Sequence, residues 1–264
     1  MNSAPQLQPP SPSPTNARRP APRTTFSRFP ATFGLIVATL SVFLAQWLVA
    51  SIFGVGRVCG PGEFICALGS KINQAIAAGQ LWRLVTPIFI HVDVWHIFVN
   101  MYSLYVLGPS IEQFYGTARM LILYMLSGIT GVAFSLGFNR YNSVGASGAV
   151  FGLVGTLGVF LFLHRQLFGR VGQDQLRRIV IVTLLNLVLG MSAMIDNWGH
   201  LGGLLAGIGL GWFLGPRLER VLTETGQVHL IDRQPWEQSR RKVFLAVAMV
   251  AALSVAALVS PFNQ

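Results

Sequence analysis

Charge is scarce in this chain. Asp, Glu, Lys and Arg make up only 11% of its 264 residues, against roughly a quarter in a soluble domain, so the composition does not suit a water-facing globule. Acidic residues are rarest, nine against 19 Lys and Arg. Cysteine is nearly missing, and the two present, Cys59 and Cys66, permit one disulfide or two free thiols; both readings stay open. No cluster of metal-ligand type, no phosphate-binding loop and no nucleotide motif occurs, so the reading contains no metal and no cofactor. No internal repeat is apparent either, which speaks against a transporter.

What the chain has is apolar length. Hydrophobic residues make up 52% of it and the mean hydropathy is +0.56. Uncharged runs cover 31–55, 120–138, 146–163, 179–194, 198–214 and 243–259, each approaching the roughly 17 to 25 apolar residues that a spanning helix needs. A seventh run, 94–108, is shorter and holds a His and an Asn. Seven spans predict an all-α, polytopic membrane helical bundle. The first run is too long for a signal-peptide core and reads as a retained helix.

The organisation expected is a disordered, basic, Pro-rich cytoplasmic tail over 1–29, a six-helix core over 30–216, a cytoplasmic linker over 217–242 and an additional C-terminal transmembrane helix over 243–264. The basic residues test this arrangement. With the N-terminus inside, only Arg57, Lys71, Arg83 and Arg140 of the 19 fall on the outer side, the bias that the positive-inside rule describes. Omitting the short second span would invert every later loop and spoil it. Arg18, Arg19, Arg23 and Arg28 then read as a topology anchor rather than as nucleic-acid contacts.

This topology sets the depth of the unusual polar residues. Ser147, in Gly145-Ala146-Ser147-Gly148, and His200, in Gly199-His200-Leu201-Gly202-Gly203, open the fourth and sixth spans, which both start on the outer side. His96 and Asn100 stand four apart, on one face of the second span and near the same level. Each alone has an ordinary explanation: a helix cap, an interfacial imidazole, interhelical hydrogen bonding. Together at one depth they point to a built site, because polar groups in hydrocarbon are costly. A serine hydroxyl needs a base within hydrogen-bond reach to act as a nucleophile, which a neutral imidazole supplies. Asn100, His96 and the helix start at Ser147 offer donors for an oxyanion. Gly199, Gly203, Gly207, Gly211 and Gly215 recur every four residues, a bare stripe that would let the sixth span approach the one holding Gly148, Gly152 and Gly155.

These residues resemble those of the rhomboid intramembrane serine proteases over roughly 33–214. The resembling stretch reads Trp82-Arg83-Leu84, Thr86-Pro87, His91, His96, Asn100, Gly145-Ala146-Ser147-Gly148 and Gly199-His200-Leu201-Gly202-Gly203. The resemblance implies Ser147 as nucleophile, His200 as general base and acid, and His96 with Asn100 at the oxyanion, in a dyad; Asp196, four residues before His200, could reach it as a third acid but also reads as the polar end of a loop, the reading preferred. Phe151 stands where many relatives carry a tyrosine that stacks on the catalytic histidine. Its ring can still stack, but it has no hydroxyl. The residues in supporting places are Phe151, Gly145, Gly148, Gly199 and Gly203. The resemblance also places the long outer loop, 56–81, partly in the outer leaflet beside the site, and makes the last span the extra helix that some rhomboids append.

The expectation is therefore an intramembrane serine endopeptidase cutting in or near the outer end of the transmembrane segments of single-span or polytopic membrane proteins. It would sit in a bacterial inner membrane with its N-terminus cytoplasmic and its active site toward the outer side, surrounded by lipid and with no nucleic-acid partner. Substrate, oligomeric state and the role of the seventh helix are not legible. The competing readings are a catalytically silent rhomboid-like binder of membrane proteins and, more remotely, a transporter.

Overall fold

A computed structural model of the protein describes residues 24–60, 62–189, 195–222 and 226–260. In chain order it has α1 (Thr25–Arg28), α2 (Pro30–Ile52), α3 (Phe64–Gly69), α4 (Asn73–Ala77), two single 3₁₀ turns (Leu81–Leu84 and Thr86–Phe89), α5 (Val94–Tyr115), α6 (Thr117–Phe138), α7 (Ser147–Leu163), α8 (Arg165–Leu189), α9 (Asn197–Leu214), β1 (Leu218–Leu222), β2 (Val228–Asp232) and α10 (Trp236–Leu258). The protein is an all-α polytopic membrane bundle. The long helices are α2 and α5–α10, one for each apolar run in the sequence. The tail expected over 1–29 lies outside the described residues up to position 23, and so does the end of the 179–194 run from position 190.

The layering follows from composition. Helix α6 is central, 67% of its most apolar window being buried, whereas α2 and α10 flank the bundle at 22% each. Those three are long and apolar enough to cross a membrane by length and composition alone. Among the described residues the other long helices miss that mark because they are short or carry polar, charged and glycine positions. The core interlocks Leu104 of α5, Met120, Leu123 and Tyr124 of α6, Leu153 and Phe160 of α7, and Leu210 of α9. Leu, Val, Phe and Trp side chains on α2, α5, α8 and α10 stay exposed at the periphery, where lipid rather than water is the solvent.

Two differences from the sequence reading have local causes. The second span runs past Gly108 and Pro109 to Tyr115, because Glu112 has a buried partner: its carboxylate accepts from Ala31 N–H at 2.9 Å, Thr32 N–H at 2.9 Å, Thr32 Oγ1 at 2.8 Å and Thr117 Oγ1 at 2.9 Å. An anion thereby caps the free N–H groups at the start of α2 and ties that helix to the α5–α6 corner. The stretch 217–242 contains an antiparallel hairpin, Leu218 opposite Asp232 through Leu222 opposite Val228, and α10 begins at Trp236 rather than at 243. Arg119 at the start of α6 holds both: it pairs with Asp232 at 3.4 Å and donates to the Gln234 carbonyl and to Ser239 Oγ.

Candidate active site

The site is built by backbone approach. Helix α9 lies on α7 through glycine: a Cβ at Gly203 would overlap the Gly148 carbonyl, and one at Gly207 the Gly152 carbonyl. The same surface continues to Gly211, whose Cβ would stand 3.0 Å from Thr156 Cα. The first two approaches require the absence of a side chain, and the third is tight.

That approach brings the helix starts together. Ser147 is the first residue of α7, with Ala146 rather than the serine in the capping position. His200 lies in the first turn of α9 behind the cap Asp196. Ser147 Oγ and His200 Nε2 stand 2.8 Å apart. The imidazole is stacked on Phe151, one turn beyond Ser147, with centroids 4.4 Å apart and planes at 12°. Its Nδ1 has no hydrogen-bond partner among the described residues. Asp196 does not hydrogen-bond to that nitrogen. Its carboxylate accepts from Gly199 N–H at 3.2 Å and from Asn139 Nδ2 at 3.1 Å. Burial raises the pKa of this carboxyl, but hydrogen bonds from Ser135, Ser143, Asn139 and Gly199 outweigh that and leave it below the usual value.

Helix α5 supplies the remaining wall. Asp93 caps it by accepting His96 N–H at 2.8 Å. His96 packs its ring over Gly145, so that a Cβ there would lie 2.7 Å from the imidazole; the φ of +126° at Gly145 independently favours glycine. Asn100 donates one amide hydrogen to the His96 carbonyl at 2.9 Å, which fixes the amide and leaves its second N–H available. Ser147, His200, His96, Asn100 and Phe151 line one cavity of about 1030 Å³. It continues between α5 and α8 past Ser103, Thr183 and Asn186, polar positions that the sequence reading did not single out. Gly148 and Gly199 serve packing: the Gly199 carbonyl lies 3.2 Å from where a Gly148 Cβ would stand.

The connections before α5 and between α6 and α7 supply further lining of the cavity, including Cys59, Cys66, Asn139, Tyr141 and Ser143. Lys71 is fully buried, donates from Nζ to the carbonyls of Asn139 and Tyr141 at 2.6 and 2.9 Å, and pairs its backbone with Ser143. It thereby fixes the segment leading to Ser147. Burial lowers its pKa to about 8, with Asp196 opposing that shift. Cys59 and Cys66 form a disulfide, which settles the two readings left open. Glu63 lies close enough to both for a metal-type cluster. The sulfurs, however, are joined to each other, and the carboxylate oxygens accept from Ile65 and Cys66 N–H as the cap of α3.

Comparison with known proteins bears on this geometry. The Rhomboid domain family matches residues 78–217, a stretch that contains His96, Asn100, Ser147, Phe151 and His200 of the cavity lining. Over 147 residues the chain is 40% identical to the Rhomboid protease GluP of Bacillus subtilis (strain 168), covering 55% of this chain and 28% of that protein. It is 38% identical over 142 residues to RHOMBOID-like protein 1 of Arabidopsis thaliana, 53% of this chain and 36% of that one. Rhomboid-like protease 3 of Toxoplasma gondii is 34% identical over 158 residues, 58% of this chain and 59% of its own length. The chain thus matches less than two thirds of the length of each of these relatives.

Proposed function

The chain belongs to the rhomboid family, and from that premise we propose that it is an intramembrane serine endopeptidase, hydrolysing peptide bonds in or near the outer end of transmembrane segments of membrane proteins. The observation that carries this reading is the 2.8 Å approach of Ser147 Oγ to His200 Nε2 at the head of a cavity inside a membrane bundle.

The chemistry follows from the donors and acceptors present. His200, protonated on Nδ1, accepts the Ser147 proton at Nε2 as Oγ attacks the peptide carbonyl, and returns that proton to the leaving amine. Water then enters by the same base and releases the acyl group. Among the described residues no carboxylate bonds the imidazole; the Phe151 ring orients it by stacking. The oxyanion meets the free N–H of Asn100, the His96 ring and the backbone N–H at the start of α7, where the helix dipole adds positive potential. We place the N-terminus on the cytoplasmic side and the site toward the outer side, an orientation supported by the distribution of Lys and Arg.

The test is labelling of the purified protein with a serine-directed fluorophosphonate, alongside cleavage of a single-span model substrate. Wild type is expected to label and cleave; Ser147→Ala and His200→Ala are expected to fold, insert and do neither. A wild-type protein that neither labels nor cleaves would move the chain to the silent, substrate-binding reading. Cleavage that survives Ser147→Ala would reject the dyad.

A further inference from the structure

Helix α2 is apolar along most of its length, yet it buries one amide completely. Gln46 has no exposed surface, and burying an amide is tolerable only when its groups are paired. Its partners are specific. Oε1 accepts from His91 N–H at 3.2 Å, and Nε2 donates to the His91 carbonyl at 3.2 Å. Both backbone groups of a single residue, 45 positions away, are thus held by one side chain. The amide cannot flip end for end, since that would set a carbonyl oxygen against the His91 carbonyl. Two further contacts reinforce the pose: Nε2 lies 3.3 Å from Sγ of both Cys59 and Cys66, weak acceptors on the same side.

His91 is the next link. It too is fully buried, in the connection before α5, and its Nε2 accepts the N–H of Ala146 at 3.4 Å. Ala146 is the capping residue of α7 and immediately precedes Ser147. The preceding residue is held as well, Gly145 N–H donating to the Pro87 carbonyl at 2.8 Å. Burial, together with His96 beside it, holds His91 down to about pKa 3, so its imidazole is neutral at physiological pH and able to accept. Its ring also stands edge-on to His96 at 5.0 Å.

We infer that Gln46 is a positioning residue for the nucleophile: by clamping the backbone of His91 it fixes the imidazole that holds Ala146 N–H, and so sets the turn on which Ser147 is presented to His200. The inference rests on Ser147 being the nucleophile, and it assigns a role to a residue of α2 that touches neither substrate nor the dyad. Its consequence is a defect in chemistry rather than in substrate binding, because Gln46 is not itself part of the cavity wall and the group at the end of its chain of contacts is the attacking oxygen.

The experiment uses the full chain in detergent, with Gln46→Leu, which removes every polar contact, and Gln46→Glu, which keeps volume and the acceptor for His91 N–H but sets an oxygen against the His91 carbonyl. Active sites are titrated with fluorophosphonate, and kcat and KM are measured per titrated site. Both variants are expected to lose about tenfold in kcat and in labelling rate, with KM within about twofold, the scale on which small misplacements of reacting groups act. Wild-type kcat per site in both variants would overturn the inference. So would a loss fully accounted for by fewer titratable sites, since that is the signature of a merely structural residue. Should Gln46→Leu fail to fold, Gln46→Glu decides on the same criteria. Ser147→Ala run in parallel separates the two failures: activity surviving there rejects the dyad itself, whereas loss there with normal Gln46 variants rejects only the positioning role.

Discussion

Gly203 of α9 lies directly against the carbonyl oxygen of Gly148 in α7, with no room for a Cβ between them. Because Gly148 follows Ser147 and Gly203 stands three residues after His200, this backbone contact sets the distance between the proposed nucleophile and its base. Gly203→Ala is expected to push the helices apart at the level of the dyad, at a cost of about 1 to 3 kcal/mol in stability from overpacking. Activity should fall further than stability, about a hundredfold, since a displacement of about 1 Å between reacting groups is enough for that. Thermal unfolding in detergent and turnover of a model substrate measure both. Gly209→Ala, where a Cβ would meet nothing within 4 Å, is the matched control and should behave as wild type.

The proposed oxyanion donors give a second prediction. Asn100 already spends one hydrogen on the His96 carbonyl, so its remaining N–H is the one that can meet developing charge. Asn100→Ala is expected to lower kcat by about 10² to 10³, equivalent to about 2.7 to 4 kcal/mol in the transition state. Ser147 should still label with a small phosphonate, because nucleophile and base remain. His96→Ala should act in the same direction, and more strongly on the fold, since its ring covers Gly145. Unchanged cleavage by both single variants and the double variant would remove these residues from the mechanism.

Much of this arrangement was legible in the sequence, and the parts that were not share a physical character. Seven apolar runs, the positive-inside bias and a four-residue glycine period are local or periodic signals, and they led to the bundle and to the α7–α9 contact. Ser147 and His200 stood out because each sits among glycines at the head of an apolar run. Gln46 carried no such mark: one amide inside an apolar run has no period, and its partner is a backbone 45 residues away. Lys71 read as an outer-loop charge, and nothing nearby in the chain signals that the carbonyls of Asn139 and Tyr141 take its ammonium. Glu112 lay beyond Pro109, where the apolar pattern had already ended. The hairpin at 218–232 was hidden in a stretch that read as a charged linker; its Asp232 is met by Arg119, 113 residues back in the chain, and its Glu219 by Arg233.

Lys71 supplies a prediction about pH. Burial lowers its pKa from the ordinary 10.5 to about 8, so between those values the unfolded chain binds a proton that the folded chain has released. Stability must therefore rise with pH across that window and lose this contribution as pH falls through 8. Lys71→Met should flatten the rise while lowering stability at pH 7.5, because two carbonyls lose their donor. Chemical unfolding in detergent at pH 7.5, 8.5 and 9.5 measures the slope. An equal slope in wild type and variant would show that Lys71 titrates normally.

The site of attack on a substrate is the last prediction, and it follows from depth. A spanning helix keeps its peptide carbonyls in its own hydrogen bonds, so a protease within the bilayer must first obtain a locally unwound segment. Ser147 begins α7 rather than lying along it, and with the proposed orientation that beginning is at the outer face. The cut should therefore fall near the outer end of the substrate span or just beyond it, and the released fragment should face outward. Gly or Ser around the cut should speed the reaction by easing extension, and Ala, a strong helix former, only by being small enough to fit a site where His96 covers Gly145 closely. A run of Leu there should slow it by keeping the helix wound, Gly being roughly 0.8 to 1 kcal/mol poorer than Ala in a helix and Leu nearly as good as Ala. Mass spectrometry of the products from a substrate series scanned from Gly to Leu reads both position and rate. Cleavage mapping consistently to the cytoplasmic half of the spans would contradict the orientation and the active-site depth together.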